Sequence, residues 1–368
     1  MGRHGFEPWA AAAIYQQRTV VQATFLYIWE VLMVETDHSD KSVSEAVGLY
    51  VEDRDDELAE QTKQSHKYRL NHLIRYCTIN EIQSVSELQP MVLTDYKQWR
   101  KRDGDLNITS MHTQLTTLSV FIQWCESKNL LPNGVHEAIQ IPSLNGEDQR
   151  ERRLDGEVAQ RILSYLDKYE YAQRAHVIFR LMWRTAMRLG AIHSLDVDDY
   201  DSDSQQLHVK HRPTEGTPIK KQSNGERIIA LNDKTCIVLD DYIETNRHAH
   251  TDEYGRSPLI TSKQGRLTTS SIRREIYRLT QPCLYTNECP HNRVLDECEA
   301  KGYTNTRGCP SSMAPHDIRR GSITEFLSDD IPKEIVADRC DVSLDVIDDH
   351  YDQRSMEDKS EQRRKYFQ

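Results

Sequence analysis

The chain has 368 residues, 37% of them hydrophobic and 29% charged, with 47 Lys and Arg against 58 Asp and Glu and a formal net charge of −11. That profile fits a soluble globular chain with room for two or three domains of about 100–200 residues each. Taken alone, the acidic balance argues against nucleic acid as a partner, because phosphate contacts need cations. The charge is uneven, however. Acids gather at 52–57, 196–203 and 344–349, whereas 205–227 carries five Lys or Arg against two Glu. A local basic groove is compatible with such a surface, and the acidic patches would suit a salt-rich cytoplasm.

The apolar run 20–34 is shorter than the ~20 residues of a membrane span and carries Glu30, so it reads as an extra amphipathic helix and not as a membrane segment. A start at Met33 is the rival account of 1–43. From Ser44 to Leu131 the periodicity is helical, with about four helices and no strand. In one of them Tyr68, Leu70, Leu73, Ile74 and Cys77 form the expected buried stripe, and Lys63, His66, Lys67 and Arg69 share the helix, either as a solvated face or as phosphate contacts. Thr94 and Asp95 are candidates to cap the next helix, and Leu115, Leu118, Phe121, Ile122 and Trp124 mark the last. The polar stretch 139–153, with Pro142 and Gly146, is the expected linker. It separates a helical domain at 44–138 from a second domain at 154–368.

The second domain opens with helices over 156–169 and 172–195. After Asp198 the pattern becomes β-branched at 205–212 and 226–232, which predicts a hairpin with a long tip. Helices return at 233–246, 269–280, 316–328, 332–339 and 343–353. Four of the eight cysteines, Cys77, Cys125, Cys236 and Cys340, are scattered and read as buried thiols in a reducing compartment. The other four crowd a single segment, where Cys289, His291, Cys298 and Cys309, with Cys283 as an alternative, could supply the four ligands of a structural zinc, or else remain plain thiols or disulfides. Such a zinc would pin the loop before His316.

Candidate chemistry begins at "APHDIRRG", Ala314 to Gly321. His316 and Arg319 are three apart at a helix start, with Pro315 just before them, a geometry that favours an anion. Arg188, between Met187 and Leu189 in a core-like run, is costly unless paired or used. Lys220 and Lys221 lie at the hairpin tip, and Tyr351 on the last strong helix.

These elements, in this order, resemble the tyrosine recombinase (phage integrase) family, and among its members archaeal, especially haloarchaeal, integrase-like proteins. Thr185 to Arg188 match the turn with the first arginine, Lys220 (Lys221 in reserve) the hairpin lysine, His316 and Arg319 the H-x-x-R, and Tyr351 the nucleophile. The resemblance spans Ser44 to Gln353. It implies a mainly α fold with a small β-sheet: an all-α SAM-like core-binding domain followed by an α+β catalytic domain, the two clamping duplex DNA. It implies a covalent 3′-phosphotyrosyl intermediate, no cofactor for catalysis, a homo-tetramer on synapsed DNA, and a cytoplasmic enzyme. Lys63, Lys67, Arg69, Lys221 and Arg320 are the expected DNA contacts. Two positions depart from the family pattern: Val342 stands where a histidine or tryptophan is usual, and Ala191 where an acid is common. A relaxing type IB topoisomerase, a catalytically weak DNA-binding protein and a metal-dependent nuclease are the alternatives.

Overall fold

The computed structural model describes residues 41–144, 152–329, 331–352 and 356–364. The expected helix at 20–34 lies outside them, and so does Met33. The chain divides into two compact units, Met1–Arg150 and Glu151–Gln368.

The described part of the first unit is all-α: α1 (Val43–Asp53), α2 (Glu60–Ile79), α3 (Pro90–Asp103) and α4 (Ile108–Ser127). Ser42 and Glu45 form a capping box at α1, and Asn107 caps α4 through its side chain. At α3 the expected cap differs. Thr94 and Asp95 lie inside the helix, because Pro90 at its first turn already fixes the start one turn earlier. Tyr50, Phe121 and Trp124 meet edge to face in the core, with ring centroids 5.5 and 5.6 Å from Tyr50. Leu70, Leu73 and Cys77 are buried as expected, but Tyr68 is 66% exposed. Two helical positions span about 200°, so Tyr68 cannot share a face with Leu70; it stacks edge-on against His72 instead. The start of the expected linker belongs to this unit: Ile139 joins its core, Lys97 Nζ donates to Gln140 O (2.8 Å), and a His112 ring nitrogen bonds Pro142 O (2.8 Å).

The second unit begins with α5 (Gly156–Tyr169), capped by Asp155, followed by α6 (Arg174–Thr185) and α7 (Leu189–Ser194). One continuous helix was the expectation for the last two; Ala186, in the left-handed region at φ 50°, breaks it. Strands β1 (Tyr200–Asp201), β2 (Gln206–Val209) and β3 (Arg227–Ala230) form an antiparallel sheet in that order, with Leu207 opposite Ile229. The hairpin is as predicted; β1 is too short to carry a periodic signal. Next come α8 (Asp233–Asp241), a small ribbon of β4 (Thr261–Ser262) and β5 (Gly265–Arg266), α9 (Thr269–Leu279) and the single turn α10 (Cys283–Thr286). The chain then runs through α11 (Pro315–Ser328), α12 (Lys333–Cys340), α13 (Leu344–His350) and α14 (Met356–Arg364).

The main core lies under α5, α6, α8, α9 and the sheet; a smaller cluster of Ala186, Ile323, Leu327, Val336, Cys340, Val342, Ile347 and Tyr351 joins α6, α11, α12 and α13. Gly321 lets α11 approach the segment just before α5, since a Cβ there would collide with the Leu154 carbonyl oxygen. The acidic run at 196–203 is not simply a surface patch. Asp196 and Asp199 are 3% and 1% exposed and pair with Arg212, Arg256, Arg266 and Lys210, tying the base of the hairpin to the sheet.

Candidate active site

The left-handed turn at Ala186 aims a carbonyl oxygen at the guanidinium of Arg319, whose Nη1 donates to it at 2.5 Å. Arg319 is 2% exposed, deep in α11. Burial and the nearby charge of Arg188 pull its pKa below the ordinary arginine value, and the nearness of the Tyr351 phenol pulls the other way. Tyr351 and Arg319 thus meet at Ala186 within one chain: Tyr351 shares a small core with it, and Arg319 bonds its carbonyl. Tyr351 is not inside α13 but caps its end, with its amide bonded to Ile347 O at 2.9 Å and its side chain 5% exposed. Lys333 pairs with Asp352 (2.7 Å) and with Asp348, which fastens the tyrosine segment to the start of α12.

Arg188 caps α7 and is half-buried. Its Nη2 donates to Asp341 O at 2.8 Å, and its Nη1 pairs with the Asp341 carboxylate. The hairpin tip supplies the next cation, and it is Lys221. That residue stands at φ 70°, and its Nζ meets Asp341 Oδ1 at 2.8 Å. Gly225 lets the tip fold this tightly, since a Cβ there would come within 2.5 Å of Lys220 O. Lys220 points elsewhere: it is exposed and has no hydrogen bond or ion pair with the described residues. Consecutive residues of a turn face different ways, and nothing in the sequence distinguishes the two lysines.

Two site residues escaped the sequence analysis. Arg227, the first residue of β3, is fixed by Gly225 O (2.9 Å) and Arg339 O (3.0 Å), and its pKa is lowered mainly by burial. Its charge senses Asp341, Arg319 and Arg188. Asp341 sits at φ 52° in the turn between α12 and α13. Its only sequence signal is its place just before Val342. Val342 itself packs beside Tyr351 in the small core, and Ala191 is likewise buried apolar packing. A cleft of about 410 Å³ opens here, lined by Lys221 and Arg227, by the acids Glu226, Glu334, Asp338 and Asp341, and by Val342 among others.

His316 lies on the first turn of α11, where its ring reaches solvent. The atoms packed around it, together with Arg320, Arg319 and Arg188, push its pKa down to about 4, against a small opposing effect of Asp317. The imidazole is therefore neutral near pH 7, with one N–H and one free lone pair. The half-buried Arg320 stands beside it. The site gathers Arg188, Lys221 and Arg319 on Asp341, with Arg227 close by, while Glu226, Glu334 and Asp338 line the adjoining cleft. Two guanidinium groups and an ammonium so placed suit an anion with at least two oxygens.

In the first unit Arg69 donates to Thr117 Oγ1 at 3.0 Å and, with Tyr68, Gln61, Gln64 and Gln114, lines a polar groove of about 480 Å³. Lys67 is exposed on the same helix, whereas Lys63 is engaged by Asp55 and by Glu60 (2.8 Å). Among the described residues no three His, Cys, Asp or Glu side chains form a ready metal site. His291 Nε2 is hydrogen-bonded to Ser311 Oγ at 2.8 Å.

The profile of the phage integrase family matches residues 152–345, and that of the phage integrase N-terminal SAM-like domain matches residues 53–129. The chain belongs to the phage integrase family. A probable integrase/recombinase protein of Methanocaldococcus jannaschii is 22% identical over 292 residues, 77% of this chain and 78% of the relative. Among solved structures, the Tn1549 transposon integrase in complex with circular intermediate DNA superposes with a TM-score of 0.61 at 13% identity, over 87% of this chain and 98% of that one. A lambda integrase dimer bound to a COC′ core site gives 0.60 at 12% identity, over 92% and 88%. The fold is accordingly a SAM-like helical domain plus a tyrosine recombinase catalytic domain, and the protein is a DNA breaking and rejoining enzyme that needs no cofactor for catalysis. No helix among the described residues is long and apolar enough to cross a membrane.

The site predicts a pH signature. The folded pKa of His316 lies below its ordinary value of 6.5, so the unfolded chain binds a proton that the folded chain refuses between about 4 and that value. The stability contributed by neutral His316 is present above this window and is lost as the pH falls through it. NMR titration of the DNA-free protein should place the His316 imidazole transition near 4. Addition of a duplex should raise it, because a phosphate favours the imidazolium. An ordinary transition in the free protein would contradict the arrangement described.

Proposed function

We propose that Arg188, Arg319 and His316 grip the non-bridging oxygens of one DNA phosphate while Tyr351 attacks its phosphorus. The observation that carries this reading is convergence: Tyr351 packs with Ala186 and Val342, Arg319 donates to the Ala186 carbonyl, and Arg188 and Arg319 both donate to the carbonyl of Asp341, the residue before Val342. The two guanidinium groups offset the charge that grows on the phosphate oxygens in the transition state. His316, neutral beforehand, donates its N–H to the same oxygens and can take the phenolic proton on its other nitrogen. The Tyr351 oxygen–phosphorus bond forms as the bond to the 5′-oxygen breaks, leaving a 3′-phosphotyrosyl link that conserves the bond energy. Lys221 supplies the proton to the departing 5′-oxygen; its position beside Arg188 and Asp341 favours it over Lys220. A 5′-hydroxyl from a partner strand reverses the step and completes the exchange.

The remaining assignments follow from the same reading. The groove beside Arg69, with Lys67 on the same helix, contributes contacts to duplex DNA, as does Arg320 next to His316. Lys63 is the weakest of these candidates, since its charge is already paired. Exchange between two duplexes breaks four strands, and each protomer brings one Tyr351, so a homo-tetramer on synapsed DNA fits the chemistry. Eight free cysteines suit the reducing cytoplasm.

The test is covalent capture. A nicked suicide duplex should become attached to the wild-type protein and not to Tyr351→Phe, and Lys221→Ala should slow attachment more than Lys220→Ala. Attachment that survives Tyr351→Phe would exclude Tyr351 as the nucleophile.

A structural zinc fits the segment before α11. Between α9 and α11 the chain has one four-residue helix and isolated turns, and Ala300 is its only apolar side chain buried among the described residues. Polar bonds tie the segment together, among them Gln281 to Ala300 O and Thr306 O at 2.9 and 3.1 Å and Ser312 Oγ to Thr306 O at 2.7 Å. So little apolar burial calls for a cross-link. Charge interactions reach from Cys283 to Cys309, Cys289 and Cys298, and a metal would draw the four sulfurs into a tetrahedral set. His291, held by Ser311, is the lesser candidate. Purified protein should carry about one zinc per chain. Cys298→Ser should lose it and melt at a lower temperature, whereas His291→Ala should keep it. Equal metal content in the wild type and Cys298→Ser would remove zinc from the account.

A further inference from the structure

Asp341 is an acid set among the cations that the reaction needs. Its carboxylate is shared: one oxygen pairs with Arg188 Nη1, the other with Lys221 Nζ at 2.8 Å. Its carbonyl oxygen accepts from Arg188 Nη2 at 2.8 Å and from Arg319 Nη2 at 3.5 Å. The Asp341 side chain is 8% exposed, so the pairs are largely withdrawn from water. Two oxygens sharing one negative charge, held by a guanidinium and an ammonium, are what the non-bridging pair of a phosphodiester would also offer.

We propose that the Asp341 carboxylate is an internal counter-ion that occupies the phosphate's place on Arg188 and Lys221 in the DNA-free protein, and that a DNA phosphate must displace it before cleavage. The inference rests on the reading of Arg188 as a phosphate ligand. Both anions cannot use the same donors, because two like charges side by side in a poorly hydrated pocket repel strongly. In the free protein the carboxylate relieves repulsion among Arg188, Lys221, Arg227 and Arg319; on binding, the phosphate takes over that role. The exchange needs only a rotation of the side chain, since the carbonyl contacts belong to the backbone. Asp341 also stands in the turn from α12 into α13, the helix that ends at Tyr351. Asp341 is a positioning residue in this scheme and takes no part in bond making.

Two neutral variants test the exchange. Asp341→Asn keeps the shape and tolerates a left-handed backbone, and Asp341→Gly removes the side chain at a φ that glycine adopts freely. At limiting duplex, both should form the Tyr351-linked adduct faster than wild type, Asp341→Asn by about tenfold. In a Tyr351→Phe background both should bind the uncleaved duplex more tightly. Equal or slower adduct formation in both variants would overturn the proposal. A crystal structure of the wild type soaked with inorganic phosphate gives a second readout that needs no variant. Phosphate on Arg188 with the Asp341 carboxylate turned away supports the exchange; phosphate bound with the Asp341–Arg188 pair intact, or no phosphate on Arg188, refutes it. Absence of any wild-type adduct would count against the strand-cleavage reading instead, and the phosphate soak would still decide the fate of the counter-ion.

Discussion

A guanidinium with almost no access to water sets the terms for the catalytic unit. Arg319 is 2% exposed, and the cost of burying its charge is offset by backbone oxygens, chiefly that of Ala186. That carbonyl faces Arg319 because Ala186 adopts φ 50° and ends α6. The same break turns the chain so that Arg188 projects from the start of α7 toward the Asp341 carbonyl. A single left-handed residue thereby brings two arginines, 131 positions apart in sequence, to one pocket. Gly321 allows α11 to approach Leu154, and Ser322 Oγ bonds Trp183 O, which locks α11 to α6. Tyr351 then packs on Val342, Ile347 and Ala186, near Arg319.

The overall charge and the chemistry of the site point in opposite directions, and the structure shows why they coexist. Several of the acids that make the chain negative are consumed internally. Asp196 and Asp199 neutralise Arg212, Arg256, Arg266 and Lys210 at the base of the hairpin, which leaves Lys221 at its tip beside Arg188 and Asp341. Buried ion pairs of this kind contribute less to stability than to a unique arrangement, and the arrangement specified here is the position of the hairpin tip. A net charge of −11 therefore says little about the field inside one cleft.

Much of the fold could be read from periodicity. The amphipathic helices of both units and the β2–β3 hairpin follow from 3.6- and 2-residue patterns that burial enforces. Arg188, His316 and Arg319 were conspicuous as a charged residue in an apolar run and as a proline-led helix start, whereas Tyr351 was singled out only by the family resemblance. What was hidden has local causes. Tyr68 is aromatic but falls on the wrong helical face; β1 is two residues long; the choice between Lys220 and Lys221 depends on the left-handed backbone of Lys221. Asp341 and Arg227 act through partners more than 100 residues away, and no pattern in a single chain announces such pairings.

The central claim is that the guanidinium groups of Arg188 and Arg319 serve to neutralise the charge of one phosphate. Replacing the scissile phosphodiester by a methylphosphonate, which lacks that charge, tests this directly. Rates of Tyr351 adduct formation would be measured for wild type and Arg188→Ala on both duplexes. The account predicts a severe loss for Arg188→Ala on the phosphodiester and a much smaller loss on the methylphosphonate. An equal loss on both substrates would mean that Arg188 does not act by balancing phosphate charge, and would contradict the account.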